Sequence, residues 1–542
     1  MGLANDYVFR PEERPTFPGS PFAPALTLPR RLAYGAVGVL VGATASLGNG
    51  LVNVNVANLS GALGTYAVQA TLLPAIYVAA NASANLMLVK GRIQYGIPAI
   101  THGLLIAYAC AGLLQLLFPG FGGAVLVRFI SGMTAAGLTT LAIYYLILAF
   151  PLKLRPLALV VGIGTVQLGL PIARMIPIEM LALDHWRGLH LIEIGLALTV
   201  LAAISAVPLP PSECSRAFKP LDFLTYGLFL PAMLLLCSVL GLGRLLWWTD
   251  TPWLGAALAA SVALFAAVAL LEHLRSDPLF QLKWIGSYDI VRFAAVALVV
   301  RLALAEQTYG AVGLLTAGGL TNDQLHLLFA IVLVAMVLGI VTAALTISQE
   351  RLRYQVMIAS LIIALGAWLD TDATNVTRPP QLYLSQALIG YGTTLFVGPA
   401  LVFGFLRMMQ RGPNHLVSFI VLFNVTQNVG GLAGSALLGT YQVVATRAHA
   451  GALSEHLTSA DPQVVARIQA GVASLSGALT DPAQQAAQGA ALLGQALNRE
   501  ATVLAFGDVF RFVTAIALIP ALYLAARLVA DAIRNRRQEV RP

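Results

Sequence analysis

The sequence has 542 residues and a formal net charge of +8, from 32 Lys and Arg against 24 Asp and Glu. Hydrophobic residues make up 58% of the chain and charged residues 10%, whereas a soluble protein has about 25% charged residues. Only lipid covers so much apolar surface, so this composition excludes a water-soluble enzyme, a secreted disulfide scaffold and a disordered chain. The chain is expected to be a polytopic membrane protein.

Apolar stretches recur along the chain after a proline-rich stretch that has no signal-peptide pattern. A bilayer core about 30 Å thick takes roughly 20 apolar residues per helix, so we interpret each stretch as a membrane span. The fourteen predicted spans are 32–58, 67–89, 97–118, 122–150, 156–180, 188–208, 221–243, 253–273, 289–315, 323–347, 355–371, 381–409, 413–445 and 506–530.

Lys and Arg concentrate in every second connection between these spans, which is the pattern of cytoplasmic loops. The basic connections contain Arg30, Arg31, Lys90, Arg92, Lys153, Arg155, Arg216, Lys219, Arg275, Lys283, Arg351, Arg353, Arg407, Arg411, Arg534, Arg536 and Arg537. The alternation predicts that both termini are cytoplasmic. Because these residues are spread in ones and twos, they form no basic patch for nucleic acid.

One long extramembrane segment, 446–505, lies between the last two predicted spans on the side opposite the basic connections. Asp461-Pro462 and Asp481-Pro482 each combine an N-cap aspartate with a proline at the first helical position, so two helices joined by a turn are expected. The segment serves either as a cap over the span ends or as a docking surface for a periplasmic partner.

A few ionisable residues lie within predicted spans, where their cost makes them functional candidates. The candidates for proton coupling are Glu306, Glu193, Arg128, Arg174 and Arg301. Tracing the spans places Arg128, Arg174, Glu179, Glu193 and Glu306 in the outer half of the membrane, where Glu306 is expected to pair with Arg128 or Arg174. Such a cluster is either a static ion-pair network or a titrating site for a proton or substrate.

Uncharged polar residues also recur within the spans, several of them at the four-residue spacing of one helix face. The candidates for a substrate cavity are Asn49, Asn53, Tyr77, Asn81, Asn85, Gln167, Asn424, Gln427 and Asn428. Such faces avoid lipid, so they line either contacts between helices or a water-filled cavity. The nearby Gly430, Gly431 and Gly434 allow close approach of helices.

Motifs for catalysis and cofactor binding are missing from the sequence. It has no phosphate-binding loop, no metal-ligand cluster and no nucleophile motif, and Cys110, Cys214 and Cys237 show no paired spacing. We therefore expect a protein that is not an enzyme and that needs no cofactor or metal. Polar groups dispersed over many spans also disfavour a channel with a single filter.

Several segments resemble the fourteen-span drug/proton antiporter branch of the major facilitator superfamily, especially the inner-membrane pumps of Emr-type tripartite multidrug exporters. The run Leu51-Val52-Asn53-Val54-Asn55-Val56 is similar to that branch's I-V-N-V-A-L segment. Arg128 and Gly132 match the R-x-x-Q-G motif, and Trp186 with Glu193 resembles its W-x-W-I-F-x-I-N-x-P stretch.

The resemblance implies an all-α polytopic membrane protein with the major facilitator fold, two six-helix bundles plus two additional spans. Its parts would be a cytoplasmic tail (1–31), an N-terminal bundle (32–208), two inserted spans (221–273), a C-terminal bundle (289–530) that includes the periplasmic loop 446–505, and a basic cytoplasmic tail (531–542).

The resemblance also implies a secondary active exporter of amphipathic small molecules in the bacterial inner membrane, a multidrug efflux antiporter powered by the proton gradient. A periplasmic membrane-fusion adaptor and an outer-membrane channel would be its partners. The alternatives are a dedicated exporter of one metabolite, siderophore or aromatic acid, and a transport-inactive membrane scaffold or sensor.

The acidic residue that the branch has before its I-V-N-V run is missing, because Gly48-Asn49-Gly50 occupies this place. If transport is proton-driven, we expect Glu193 or Glu306 to carry the proton and Arg128 to modulate it.

Overall fold

The structure, a computed structural model, describes residues 13, 19–24, 26–151, 154–412, 415–458, 460–475 and 481–539. The side chains of 183–185, 475 and 535–539 are not described. Most of the expected tail 1–31, Lys153 of the basic connections, the side chains of Arg536 and Arg537, and residues 540–542 of the basic tail therefore lie outside the described part.

The described residues are overwhelmingly helical, with one isolated bridge between Pro21 and Ser212 and no strand. The helices are α1 (Leu28–Val54), α2 (Val56–Ala62), α3 (Ala67–Tyr95), α4 (Ile97–Leu117), α5 (Phe121–Ala149), α6 (Arg155–Gln167), α7 (Gly169–Met175), α8 (Ile178–Leu181), α9 (Leu183–Ala206), α10 (Pro220–Leu246), α11 (Pro252–Leu274), α12 (Leu282–Ile285), α13 (Tyr288–Ala303), α14 (Glu306–Ala317), α15 (His326–Leu345), α16 (Leu352–Leu369), α17 (Tyr383–Met409), α18 (Leu416–Glu455), α19 (Pro462–Leu475) and α20 (Pro482–Glu539). Two short 3₁₀ helices, Asn322–Leu325 and Pro379–Leu382, precede α15 and α17.

Thirteen helices within the described residues are long and apolar enough to cross a membrane, so this is a multi-pass membrane protein. The predicted ninth span, 289–315, accounts for the difference from fourteen, because it is divided into α13 and α14 at Leu304 and Ala305. Each of the two pieces is shorter than the roughly 20 residues a crossing needs, and together they supply one crossing.

The predicted fifth span is also divided, here into α6 and α7 at Leu168. Gly169 and Pro171 follow in the first turn of α7. A proline is tolerated there because the first amides of a helix have no intrahelical acceptor, whereas farther into a continuous helix it would break the hydrogen-bond ladder. The discontinuity therefore has a local cause in the sequence.

The helices pack into two groups that face each other. In the first group α1, α3 and α4 pack on α5, and α9 packs on α4. In the second group α15 and α16 pack on α17, while α13, α16 and α18 pack on α20. The groups meet through α3 against α18 and α6 against α15 and α17, which leaves a space between them.

Close approach of helices depends on glycine at two of these contacts. A Cβ atom added to Gly132 of α5 would lie 2.5 Å from the carbonyl oxygen of Tyr77 on α3. A Cβ added to Gly434 of α18 would lie 2.8 Å from the Cβ of Ala305, at the discontinuity between α13 and α14. Larger residues at either position would push the helices apart.

The inserted helices α10 and α11 pack on each other, and α10 also packs on α3 and α18. Near the start of α10, Asp222 accepts hydrogen bonds from Lys90 Nζ at 2.6 Å and from Arg275 Nη2 at 2.7 Å. Glu272 takes the other arm of Arg275 at 2.8 Å. These buried acids tie the inserted pair to the end of α3.

The segment 446–505 is helical throughout most of its described length. α18 continues to Glu455, α19 follows, and α20 begins at Pro482. Asp461 accepts a bond from the amide of Gln463 at 2.8 Å, and Asp481 accepts one from the amide of Ala483 at 3.0 Å, so both aspartates cap helices.

Candidate functional site: a central cavity and two buried carboxylate clusters

A cavity of about 870 Å³ lies between the two groups of helices. Its wall is formed by α1, α3, α5, α6 and α7 of the first group and by α13, α14, α17 and α18 of the second, with single residues from α10 and α15. The size matches that of sites for drug-sized molecules. The cavity residues selected from the sequence lie in four predicted spans, the first, second, fifth and thirteenth.

The nine uncharged residues singled out in the sequence all line this cavity: Asn49, Asn53, Tyr77, Asn81, Asn85, Gln167, Asn424, Gln427 and Asn428. Two of these nine residues bond directly across the groups, Asn428 Nδ2 on α18 donating to Asn81 Oδ1 on α3 at 3.2 Å. Asn49 Oδ1 and Gln427 Nε2 are buried without a hydrogen-bond partner in the described part of the chain. Polar groups left open in this way are available to a ligand.

The charged residues of the wall are all basic. Among the described residues that line the cavity there is no Asp or Glu, and five arginines are present: Arg92, Arg155, Arg174, Arg244 and Arg301. Of these, sequence reasoning selected Arg174 and Arg301. It assigned Arg92 and Arg155 to the basic connections and did not select Arg244, so their position in the wall was missed.

Arg128 and Glu193 form a buried ion pair beside the cavity, outside its wall. Their side chains are 2% and 1% exposed, and Arg128 Nη2 bonds to Glu193 Oε1. Arg128 Nη1 also reaches the carbonyl of Gly48 at 3.4 Å, and His190 Nδ1 lies 3.4 Å from Glu193 Oε2. The charge of Arg128 on α5 is therefore neutralised by Glu193 on α9, a helix of the same group.

Glu306 has a different environment from the one expected. It is fully buried at the first position of α14, and Gln386 Nε2 of α17 donates to its Oε1 at 3.1 Å. The same amide nitrogen donates to Asp370 Oδ2 at 2.9 Å. Two buried carboxyl groups thus share one glutamine, and Glu306 Oε2 has no partner in the described structure.

The expected pairing of Glu306 with Arg128 or Arg174 is wrong, because Arg128 is bonded to Glu193 and Arg174 lies in another contact. Arg174 Nη1 donates to Asn322 Oδ1 at 3.2 Å, and Asn322 Nδ2 returns a bond to the Arg174 carbonyl at 3.0 Å. Glu179, also placed in that cluster, is exposed on α8. The predicted cluster therefore does not form, because its members have different partners.

Asp370 and Gln386 were missed by sequence reasoning, although a signal was present. Asp370 lies within the predicted span 355–371, near its end, and Gln386 lies within 381–409. Both are 2% exposed in the structure. Asp370 was not selected among the ionisable residues of the spans, although it lies within one.

No protein-family model matches the sequence, and no curated protein matches it. Solved structures do match. The human organic anion transporter MFSD10 superposes with a TM-score of 0.51 at 14% identity, over 91% of this chain and 100% of that one. A bacterial homologue of the human drug peptide transporters PepT1 and PepT2 gives 0.52 at 12% identity, over 93% and 99%. Tetrameric PepTSo2 gives 0.53 at 11% identity, over 93% and 99%. These are major facilitator transporters, and the chain has their fold.

Proposed function

We propose that this protein is a secondary active transporter that exports amphipathic small molecules across the bacterial inner membrane by alternating access, in exchange for protons. Its fold, with a cavity between two helix groups, supports the transport part of this proposal. The solved structures of similar fold include an organic anion transporter and relatives of peptide transporters, so the fold by itself selects no substrate.

The buried carboxyl pair of Glu306 and Asp370 is the observation on which proton coupling rests. A buried carboxylate is costly unless it is paired, and two adjacent carboxyl groups favour holding a proton between them. Neither group has a Lys, Arg or His at ion-pair distance among the described residues, and Gln386 supplies a neutral donor to each. A proton on Glu306 would remove the charge of its unpartnered Oε2.

The carboxyl pair is connected directly to the cavity wall. Gln307, the next residue after Glu306, lines the cavity, and its Nε2 donates to the carbonyl of Gln386 at 3.4 Å. Leu304 and Ala305, the non-helical residues before Glu306, also line the cavity. A change of charge at Glu306 therefore acts at a helix discontinuity that forms part of the wall, which gives a route from protonation to a change of shape.

The test is the variant Glu306→Gln in proteoliposomes, assayed with a panel of lipophilic cations and organic anions. Glutamine keeps the shape and the bond to Gln386 but holds no exchangeable proton. We expect the variant to lose accumulation driven by a pH gradient while it retains counterflow, the exchange of labelled for unlabelled probe, because exchange needs no net proton movement.

Glu350→Gln is the matched control, since Glu350 is an exposed acid outside the cavity wall, and it is expected to behave as the unaltered protein. Full gradient-driven accumulation by Glu306→Gln would remove Glu306 from the coupling mechanism. A protein that moves no member of the panel under any ion gradient would contradict transport itself and favour the scaffold or sensor.

We also propose that the segment 446–505 binds a periplasmic membrane-fusion adaptor, which would connect the protein to an outer-membrane channel. The support is the helical extension, in which α19 packs on the start of α20 and Val465 is 37% exposed. A photoreactive amino acid at Val465 is expected to cross-link to an adaptor in producing cells, whereas the same amino acid at Leu274 on α11 is not. Cross-links confined to this chain would leave the segment as a cap.

A further inference from the structure

The wall of the cavity has an unbalanced charge, which bears on the class of substrate. Arg92, Arg155, Arg174, Arg244 and Arg301 line it, and no described acidic residue does. None of the five has a carboxylate at ion-pair distance in the described structure, in contrast to Arg128 and Arg275. Cations inside a membrane protein require anionic or strongly polar partners. Within the described wall, the only protein partners offered to these arginines are neutral groups.

Arg301 has a largely open guanidinium group. Its Nε donates to the carbonyl of Gln427 at 2.8 Å, and within the described residues this is the sole bond that its side chain makes. The group lies along α18, where a Cβ added to Gly431 would be 3.0 Å from Nη2. The glycine leaves room for the guanidinium group, and both terminal nitrogens remain without protein acceptors.

A second donor lies next to Arg301. Gln427 lines the cavity, its carbonyl holds Arg301 Nε, and its own Nε2 is buried without a partner. Arg301 and Gln427 are thus neighbours in the wall, and no described protein oxygen accepts from the two terminal guanidinium nitrogens or from the amide nitrogen. A set made only of donors fits an oxyanion, because carboxylates, sulfonates and phosphates accept several hydrogen bonds at once.

The same face of α18 is aromatic beyond Gln427. Phe419, Phe423, Gln427 and Gly431 follow at intervals of four residues, and all line the cavity. The rings of Phe419 and Phe423 are 6.0 Å apart. Both rings are packed in the core, 2% and 5% exposed, and border the cavity with the remaining surface. A helix rises about 6 Å over four residues, so this surface begins roughly one turn from the donors. That spacing fits a molecule with an anionic group and a flat apolar body.

We propose that the substrates of this cavity are amphipathic organic anions, whose anionic group binds Arg301 and Gln427 and whose apolar or aromatic body lies against Phe419 and Phe423. The inference rests on the proposed transport function and specifies its substrate class. The other arginines make the whole cavity attractive to anions, because a low-dielectric cleft lined by one sign of charge concentrates ions of the opposite sign.

Binding in nanodiscs to three probes with one aromatic body separates charge from shape. The probes are naphthalenesulfonate, naphthalenesulfonamide and naphthylmethylammonium, and equilibrium dialysis measures Kd without any ion gradient. The unaltered protein is expected to bind the sulfonate at least about tenfold more tightly than the other two, since bonds to a charged group are worth roughly 1.5–3 kcal/mol.

Arg301→Gln is expected to weaken sulfonate binding about ten- to a hundredfold and to leave sulfonamide binding unchanged. Arg351→Gln, at an exposed position outside the cavity wall, is the charge-matched control and is expected to change neither. The comparison of probes on the unaltered protein keeps the proposal testable even if Arg301→Gln does not fold.

Binding of the ammonium probe as tightly as the sulfonate, or no binding of any probe, would overturn the inference. Equal weakening of sulfonate and sulfonamide binding by Arg301→Gln would overturn the role of Arg301. Different results would contradict the proposed transport function and the proposed anion class. A protein that prefers anions in nanodiscs but moves nothing in proteoliposomes contradicts transport alone, and a protein that moves only cations along a pH gradient contradicts the anion class alone.

Discussion

Arginine residues of the membrane helices serve two purposes in this protein. Arg128 is fully buried and neutralised by Glu193, whereas Arg301 faces the cavity without a carboxylate. Gly48 contributes to the first arrangement, because a Cβ at that position would lie 3.1 Å from Glu193 Oε1 and 2.9 Å from the hydroxyl of Tyr108. The carboxylate of α9 thus occupies space that a side chain on α1 would need.

The Arg128–Glu193 pair is predicted to be structural. Arg128→Met should destabilise the protein by about 3–5 kcal/mol, because it leaves Glu193 buried without its cation. The double variant Arg128→Met/Glu193→Leu should recover much of this loss, since no unpaired charge is then left in the interior. Thermal unfolding in detergent measures both, and a single variant as stable as the unaltered protein would contradict the assignment.

The packing of helix α3 against helix α5 depends on Gly132. A Cβ at Gly132 would meet the Tyr77 carbonyl, whereas a Cβ at Gly103 of α4 has no other atom within 4 Å. Gly132→Ala should therefore cost about 1–3 kcal/mol as an overpacked site, and Gly103→Ala should be neutral or slightly stabilising. Similar melting temperatures for the two variants would show that α3 and α5 separate without cost.

Sequence reasoning located the membrane helices well but not their discontinuities or partners. The break in the fifth span has a signal in Gly169 and Pro171, while the break at Leu304 and Ala305 has neither glycine nor proline to mark it. The nine polar residues selected from the sequence could be found in the wall because a polar helix face must avoid lipid. The partners of Glu306 could not, because they depend on how α14 and α17 are rotated against each other.

The distribution of charge over the whole molecule is the basis of the proposed substrate class. Both Arg and Glu were expected among the ionisable residues of the spans. In the structure the interior acids are turned away from the cavity, Glu193 towards Arg128 and Glu306 towards Gln386, while arginines face it. The interior therefore presents positive charge to a substrate and keeps its candidate proton site behind the wall.

Uptake of naphthalenesulfonate by proteoliposomes with a clamped membrane potential tests the central claim most directly. The sulfonate stays charged at every pH used, so it does not follow a pH gradient by passive diffusion. Exchange against protons predicts accumulation above the external concentration when the lumen is acidic, with collapse when nigericin dissipates the gradient. Equal uptake with and without the pH gradient, or accumulation only in an alkaline lumen, would contradict the account.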